Sequence, residues 1–481
     1  MLIGMDVGGT NTDVAFVDGE VESEKVPNTA GIDAALYRVR RHGRLAVSTS
    51  TPLNVIVTRR ERKVATVLMP GPGLLHGRGV RGAVNHCGDV VEEIDRDEVE
   101  LFLRSNPADA VAIAGKFSVR NPALEEAAAE IARKYYPDEK VATSHPLAVL
   151  DFPARVATTR LNARIKEEVV RLCAVLSARK GDFLFFRGDG GLATPQSAVS
   201  DPSMLSHSSP AAAALGVHYL TGLSSCLVID VGGTTTELIP LEGGIPRTQY
   251  LFDESERTVT RAVSADSIPY GGDSLVTEEL EPRREGCALA FGGRAPTLTD
   301  ALNVAGAEVG NHEASRVIPR RKAEEVIEWY CREVARRAAA HDFPVVAGCG
   351  FLAPYLVPEI ARILKKPCVV PPHAGCANAV GVAVSRVSLT LHAHFDGLRK
   401  RVVMNGEVKS TGRVGDDDEL VALCTDEVRR RALAAGAHPR DVDDVRLLYC
   451  VSYDVVRGSY RTARIADVAV QIAPGITAEA R

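Results

Sequence analysis

The chain has 481 residues, of which 45% are apolar and 25% are charged, and this composition excludes a disordered protein and is typical of a folded globular one. Its 57 lysines and arginines are outnumbered by 62 aspartates and glutamates, so the net charge of −5 argues against an electrostatic nucleic-acid binder. At about 150 residues per domain, the length predicts two or three domains.

The termini and the cysteines carry no sign of membrane insertion or secretion. No apolar run reaches the roughly 18 residues needed to span a bilayer. The opening letters MLIGMDVGGT lack the basic region and the apolar stretch of a signal peptide. The ten cysteines form no CxxC pair, which argues against a zinc or redox motif. We therefore expect a cytoplasmic protein with no membrane or nucleic-acid partner.

In the first half of the chain, predicted strands alternate with predicted helices. Three apolar runs, LIGMDV, TDVAFVD and VESEKV, predict three opening strands. They are followed by a helix at 31–43, a strand and glycine-rich loop at 64–82, a strand at 111–117 and a helix at 121–137. This alternation predicts an α/β domain. Later in the chain, the clearest amphipathic pattern predicts a helix at 323–341.

An internal repeat is the most informative feature of the sequence. Residues 5–13 read MDVGGTNTD and residues 229–237 read IDVGGTTTE, and the two segments align without a gap. Each copy lies between two apolar runs, so each predicts a β-hairpin with a tight glycine turn. A single DxGG is equally well explained as an ordinary hairpin turn, but the duplication favours a function. Neither copy is a Walker A loop or a GxGxxG motif.

The residue types in the repeat suit a phosphate clamp. Paired glycines let backbone N–H groups approach an anion, and threonine hydroxyls add donors. A carboxylate repels phosphate but holds a hydrated Mg²⁺, so we expect Asp6 and Asp230 to bind the metal. The predicted phosphate-binding residues are Gly8, Gly9, Thr10, Thr12, Gly232, Gly233, Thr234 and Thr236.

These loops resemble the ATP-binding fold that actin, Hsp70 chaperones and sugar kinases share. More narrowly, the opening MDVGGTNTDVAFVDG resembles the hydantoinase A/5-oxoprolinase family. Further segments resemble that family in the same order, at 48–57, 151–165, 187–216, 286–306 and 345–371. The resemblance implies an α/β fold with two ribonuclease-H-like (actin/Hsp70-like ATPase) domains around a nucleotide cleft, plus a small C-terminal α+β appendage. We place these units at 1–170, 171–390 and 391–481.

The resemblance also nominates residues for the reaction. Gly348 and Gly350, in the segment VVAGCG, are expected to line the adenosine side of the cleft. Asp13, Glu237 and Asp300 are the catalytic candidates. Glu237 either orients water or the metal or is only a hairpin residue. Asp300 is also well placed to cap a helix, since aspartate is a favoured N-cap.

The activity that the resemblance implies is ATP-dependent hydrolysis of a cyclic amide such as a hydantoin, 5-oxoproline or a related lactam. ATP and Mg²⁺ would be the cofactors, and phosphoryl transfer would activate the amide. The family commonly uses a hydantoinase B-type partner subunit. Whether the chain also forms a homo-oligomer is left open by the sequence. Two alternatives remain: a small-molecule kinase of the same fold, and a nucleotide-dependent regulatory or chaperone-like ATPase.

Overall fold

The computed structural model describes residues 1–8, 11–27, 31–39, 43–49, 62–71, 79–412 and 414–480. Its two main sheets share one topology, in which an antiparallel meander is continued by parallel strands. This is the arrangement of a ribonuclease-H-like domain, present twice, and it confirms the predicted α/β class. Within the described ranges, no helix is both long and apolar enough to cross a bilayer.

The first sheet has six strands. In spatial order they are Leu192–Ala193, Leu184–Phe186, Arg44–Thr49, Leu2–Val7, Asn11–Asp18 and Glu20–Pro27. The last three are antiparallel neighbours, whereas Arg44–Thr49 runs parallel to Leu2–Val7. Leu2–Val7 is buried along most of its length, as the apolar letters LIGM predict for a strand that is covered on both faces. All three opening strands are therefore confirmed.

The second sheet repeats this plan. Its spatial order is Ile245–Pro246, Thr236–Glu242, Cys226–Val231, Val346–Cys349 and Cys368–Val369, and Asp266–Ile268 also pairs with Thr236–Glu242. The hairpins coincide in register: Asp6 lies opposite Asp13 in the first, and Asp230 lies opposite Glu237 in the second. The sequence repeat is therefore also a repeat of backbone structure.

Two helices, Ser208–Thr221 and Ala377–Val384, pack closely between the sheets. A Cβ added at Gly216 or at Gly381 would lie 1.9 Å from a backbone oxygen of the opposite helix. At Gly4 it would lie 2.0 Å from a backbone oxygen of Ala377–Val384, which therefore also contacts the first strand. Glycine is needed at all three positions because any side chain would separate these elements. The pair fixes the two hairpins relative to each other.

Two further units surround this core. One is a parallel sheet of Val64–Met69, Ala110–Gly115 and Val141–Thr143. The other is an antiparallel C-terminal sheet in the order Glu407–Ser410, Arg401–Met404, Leu389–Asp396, Tyr460–Ile472 and Val445–Arg457, with the helix Asp417–Ala434 against it. Ion pairs join them: Arg399 Nε donates to Asp89 Oδ1 at 2.6 Å, and Arg120 Nη2 to Asp467 Oδ2 at 3.2 Å.

The remaining elements connect these layers. The other helices are Gly31–Arg38, Arg96–Ser105, Ala123–Ala132, Phe152–Lys180, Pro195–Ser200, Leu298–Val304, Arg320–Ala338 and Ala353–Leu364. Short 3₁₀ segments are Asp138–Lys140, His145–Leu147, Pro202–Leu205, Leu289–Phe291, His312–Val317, Ala374–Cys376, Pro439–Val442 and Ala478–Ala480. Short two-stranded sheets pair Thr248–Asp253 with Glu256–Val263, Leu275–Val276 with Leu280–Glu281, and Ala83–Val84 with Val90–Glu92.

The boundary that we expect at residue 170 falls inside the helix Phe152–Lys180. The strand Leu184–Phe186, which follows this helix, belongs to the first sheet. We therefore propose that the first unit extends to Ala193, because strands that follow the predicted boundary complete its sheet. The helix expected at 31–43 forms Gly31–Arg38, and residues 40–42 lie outside the described ranges.

Candidate functional site

The turns of the two hairpins have the same hydrogen bond. Gly8 N donates to Asn11 O at 3.0 Å, and Gly232 N donates to Thr235 O at 3.0 Å. A Cβ at Gly8 would lie 2.9 Å from that acceptor, so glycine permits the tight closure. Gly9 and Thr10, which we expect to bind phosphate, lie outside the described residues.

Asp6 and Asp230 end the first strand of each hairpin, and both are buried, with 7% and 8% of their surface exposed. Burial raises the pKa of Asp6 to about 6, and the charge of Asp13 adds to the rise. Burial likewise raises the pKa of Asp230 to about 6, with contributions from Glu237 and from Asp6 itself. The two carboxylates that we expect to bind the metal are thus close enough to repel each other.

Asn378 links the two halves. Its side-chain amide neighbours both Asp6 and Asp230, and by hydrogen bonding it lowers the pKa of each against the effect of burial. Asn378 Nδ2 also donates to Ser209 Oγ at 3.0 Å. Ser48, beside Asp6 on the parallel strand, donates to Ser208 Oγ at 3.0 Å. These contacts bring the N-termini of the two central helices to the buried aspartates.

The N-termini of the two central helices suit an anion, whereas the neighbouring carboxylates suit a cation. The N-terminus of a helix has unpaired N–H groups and a partial positive charge. Ser208–Thr221 and Ala377–Val384 both begin beside the aspartates, as the contacts of Ser208 and Asn378 show. A metal-bound phosphate would therefore find opposite charges on both sides, carboxylates for the metal and helix ends for the anion.

The residues also fit the expected Mg²⁺. Mg²⁺ keeps most of its waters and takes one or two protein carboxylates. Among the described residues, no group of three or more His, Cys, Asp or Glu side chains is arranged to hold a metal, so a site here would rely on two carboxylates and water. Asp6 and Asp230 provide two carboxylates whose repulsion a divalent cation would remove.

The second carboxylates of the hairpins differ in their surroundings. Asp13 forms an ion pair with Lys25, Nζ to Oδ1 at 2.9 Å, which opposes the rise in its pKa that burial causes. Burial also raises the pKa of Glu237, which accepts a hydrogen bond from Ser267 Oγ at 2.8 Å. In the described part of the chain, no lysine or arginine forms an ion pair with Glu237. Glu237 is therefore the better proton acceptor of the two.

A glycine-rich segment, 271–274, covers the second loop. Gly272 N donates to Gly232 O at 2.9 Å, and Asp273 N donates to Gly233 O at 2.7 Å. Arg284 lies over the same loop, since its Nη1 donates to Thr234 Oγ1 at 2.7 Å. Thr234 and Gly233 are exposed, as a phosphate-binding loop requires.

The buried threonines of the hairpins have another role. Thr236 is fully buried; its hydroxyl contacts Tyr330 Oη at 2.5 Å and donates to Tyr270 O at 2.8 Å. These contacts hold the hairpin against the helix Arg320–Ala338, so Thr236 supports the loop and does not face a ligand. Thr12, at the corresponding position, is only 2% exposed. Only Gly8, Gly232, Gly233 and Thr234 remain as described candidates for phosphate contact.

Asp300 lies in the first turn of the helix Leu298–Val304, where it forms a capping box with Thr297, the N-cap residue. It is fully buried and accepts from the backbone N–H groups of Leu289, Ala290 and Thr297 at 2.9 to 3.0 Å. The hydroxyls of Thr297 and Ser315 donate to it as well, at 3.1 and 2.7 Å. With these donors in place, its oxygens are not available to water or to a substrate. These contacts give Asp300 a structural role in the helix cap, and the catalytic role that we expect for it stays a prediction.

The two glycines of the segment VVAGCG are positioned differently. A Cβ at Gly350, where φ is +91°, would lie 3.0 Å from Asp230 Oδ1 and 2.3 Å from Val231 O. Gly350 thus adjoins the metal-binding candidate, whereas Gly348 packs against Val357 and Val370 in the core. Beyond Gly350, the exposed rings of Phe351 and Phe291 lie 6.4 Å apart and offer a surface on which a base could stack.

Sequence reasoning missed four polar residues of this site: Lys25, Ser48, Arg284 and Asn378. None of them belongs to the repeated motif, and each reaches a loop through the folded chain. The nearest signal for Asn378 is its place in GCANAVG, where small residues and a glycine predict a tightly packed helix. Ser48 falls in the segment STSTPLNVIV, which the family resemblance marks without a role.

Two family models match the chain. One, described as hydantoinase/oxoprolinase N-terminal region, matches residues 2–136, and the other, described as hydantoinase/oxoprolinase, matches residues 154–310. Caprolactamase subunit alpha of Pseudomonas jessenii is 28% identical over 257 residues, which are 47% of this chain and 36% of that protein. An uncharacterised protein of Methanocaldococcus jannaschii is 22% identical over 49% of this chain and 42% of its own length. The chain thus matches less than half the length of these relatives.

Two solved structures share the fold. A nucleotide-free structure of ATP-dependent acetone carboxylase superposes with a TM-score of 0.73 at 16% identity, over 99% of this chain and 87% of that one. The ATP-dependent caprolactamase of Pseudomonas jessenii gives a TM-score of 0.62 at 19% identity, with the same two coverages. At these identities the similarity establishes the architecture of the chain.

Proposed function

Because the chain belongs to the hydantoinase/oxoprolinase family, we propose that it is an ATP-dependent hydrolase of a cyclic amide, such as a hydantoin, 5-oxoproline or another lactam. The observation that carries the proposal is the pair of buried carboxylates, Asp6 and Asp230, which lie at the same position of two repeated hairpins and both neighbour Asn378. Two neighbouring carboxylates in a buried position are stabilised by a cation. The metal that accompanies a bound nucleotide would provide that cation.

The binding residues follow from the geometry. Asp6 and Asp230 would hold Mg²⁺, which when bound neutralises charge on the phosphates. Gly8 and Gly232, whose own N–H groups close the hairpin turns, would shape the loops. The backbone N–H group of Gly233, together with the two helix N-termini, would bind the phosphate oxygens. Gly350 leaves room for the nucleoside next to Asp230. Phe291 and Phe351 would border the base.

The reaction that we propose transfers the γ-phosphoryl group to the amide oxygen. The oxygen attacks phosphorus and ADP leaves; water then adds to the activated carbon. The ring C–N bond breaks, with the electron pair and a proton going to nitrogen, and a second water displaces phosphate from the acyl carbon. We assign Glu237 to accept a proton from water, because its pKa is raised by burial. Asp13, paired with Lys25, is the weaker catalytic candidate.

We also propose that a companion subunit of the hydantoinase B type takes part. The matched Pseudomonas protein is called subunit alpha of caprolactamase, and the chain corresponds to 36% of its length. In that arrangement this chain would bind ATP and provide the phosphoryl group, and the companion subunit would cover the cleft in which the amide is phosphorylated.

Isotope labelling tests the proposal and separates it from a kinase. A lactam carrying ¹⁸O at the carbonyl is incubated with ATP, Mg²⁺ and the chain, with and without the companion subunit. We expect ring-opened product together with ADP and phosphate that carries the label. A phosphorylated product whose ring is intact would support the kinase alternative, and ring opening without ADP would refute ATP-dependent activation.

A further inference from the structure

Arg284 bridges the second loop and the segment that covers it. Its Nη1 donates to Thr234 Oγ1 at 2.7 Å, and its Nη2 donates to Asp273 Oδ2 at 2.7 Å. The Asp273 carboxylate lies close over the loop, because a Cβ at Gly233 would lie 2.7 Å from its Oδ2. The guanidinium thus lies beside the exposed part of the loop, with an anion already bound to it.

The surroundings of this loop are strongly acidic. Asp230, Glu237 and Asp273 are all held near it, and burial raises the pKa of each carboxyl. Arg284 opposes that rise at Asp273 through its charge and its hydrogen bond. A polyphosphate that approached these carboxylates would be repelled unless cations balanced it. A metal at Asp230 is one such cation, and Arg284 is already in contact with the loop.

We propose that Arg284 is a phosphate-binding residue of the second loop, held by Asp273 until the terminal phosphates of ATP take its place. The inference rests on the proposed function, since it requires ATP in the cleft. Arginine suits the exchange because its planar guanidinium forms paired hydrogen bonds equally well with a carboxylate and with a phosphate. Thr234 would keep one edge of the group oriented while the other edge changes partner.

The neighbouring Arg283 provides a matched control. It has the same charge and the adjacent position, but it is 62% exposed and pairs with Glu281 and Glu285. Dissociation constants of ATP, ADP and AMP are measured by calorimetry for the wild type, Arg284→Gln and Arg283→Gln. We expect Arg284→Gln to weaken ATP binding about 10- to 100-fold, the range for a charged hydrogen-bond pair, and to leave AMP binding and the unfolding temperature unchanged. Arg283→Gln should match the wild type.

Two further variants test the exchange itself. Arg284→Lys keeps the charge and should recover part of the ATP affinity. Asp273→Asn removes the competing anion, so ATP should bind at least as tightly as to the wild type. Equal loss of ATP and AMP affinity in Arg284→Gln, or unchanged ATP affinity, would overturn the role of Arg284. If the wild type itself bound no ATP, the proposed function would fail instead, and the two failures are thereby distinguished.

Discussion

Asp6 and Asp230 occupy the same position of two repeated hairpins, and the side chain of Asn378 lowers the pKa of both carboxyls. Asn378, on a helix N-terminus, is therefore one of the polar residues at which the halves of the chain meet, together with Ser48 and Ser208. Any ligand that neutralises the two aspartates also fixes the distance between the two sheets. Binding in this cleft should for that reason be coupled to the relative position of the halves.

Replacement of Asn378 by aspartate should disrupt this junction. The variant adds a third carboxylate beside Asp6 and Asp230 and removes their hydrogen-bond donor. We expect a loss of stability of about 1–3 kcal/mol without metal, as for a buried polar group left unpaired, and a smaller loss when Mg²⁺ is present. Chemical denaturation with and without Mg²⁺ measures both. Equal stability of the variant and the wild type would contradict the position of Asn378.

The raised pKa values make the two aspartates destabilising at neutral pH. A carboxyl whose pKa is higher in the folded state binds its proton more tightly there, so stability falls as the pH rises from about 4 to about 6. With a pKa of about 6 against the ordinary 3.8 of an aspartate, each carboxylate would lower the stability by up to about 3 kcal/mol above pH 6.

Asp6→Asn and Asp230→Asn should therefore stabilise the free protein at pH 7.5 while they abolish metal binding. The gain should vanish at about pH 3 and below, where both carboxyls are mostly protonated in the folded and the unfolded chain. Urea unfolding at pH 3 and pH 7.5 provides the measurement, with the exposed Asp18→Asn as the control. If Asp6→Asn and Asp230→Asn instead lowered the stability at pH 7.5, the two carboxylates would not be destabilising neighbours in a buried site.

Asp300→Asn distinguishes a helix cap from a catalytic acid. Asparagine keeps one acceptor oxygen and turns an NH₂ group toward donors, so several of the hydrogen bonds at Asp300 are lost. We expect a destabilisation of about 2–4 kcal/mol and an unchanged turnover per folded molecule. Activity that is lost in a variant of normal stability would restore the catalytic role.

Gly381→Ala tests the contact between the central helices. The new methyl group would lie 1.9 Å from the Ala212 carbonyl oxygen, so the helices must separate. A cost of about 2–4 kcal/mol is expected from overpacking and the associated backbone shift. Gly412→Ala is the control, since nothing lies within 4 Å of a Cβ there. Similar unfolding midpoints for the two variants would disprove the close approach.

Local sequence patterns predicted more of the strands and turns of the fold than of the residues that form the candidate site. The repeat predicted both hairpins and placed Asp6 and Asp230, because strand periodicity and glycine turns are encoded within a few residues. Asn378 and Arg284 could not be predicted. Asn378 lies 148 residues from Asp230 and 372 from Asp6, Arg284 lies 50 residues from Thr234, and no sequence spacing indicates such contacts. Asp300 was ambiguous because a capping aspartate and a catalytic one look the same in sequence.

The most direct test of the account is ADP release from purified chain with Mg²⁺ and ATP, alone and with its companion subunit, over a panel of 5-oxoproline, hydantoins and small lactams. We predict that at least one cyclic amide stimulates ADP release, and that both Asp6→Asn and Asp230→Asn abolish the stimulation while Asp18→Asn retains it. Stimulated release that persists in either of the first two variants would contradict a nucleotide and metal site shared between the two halves.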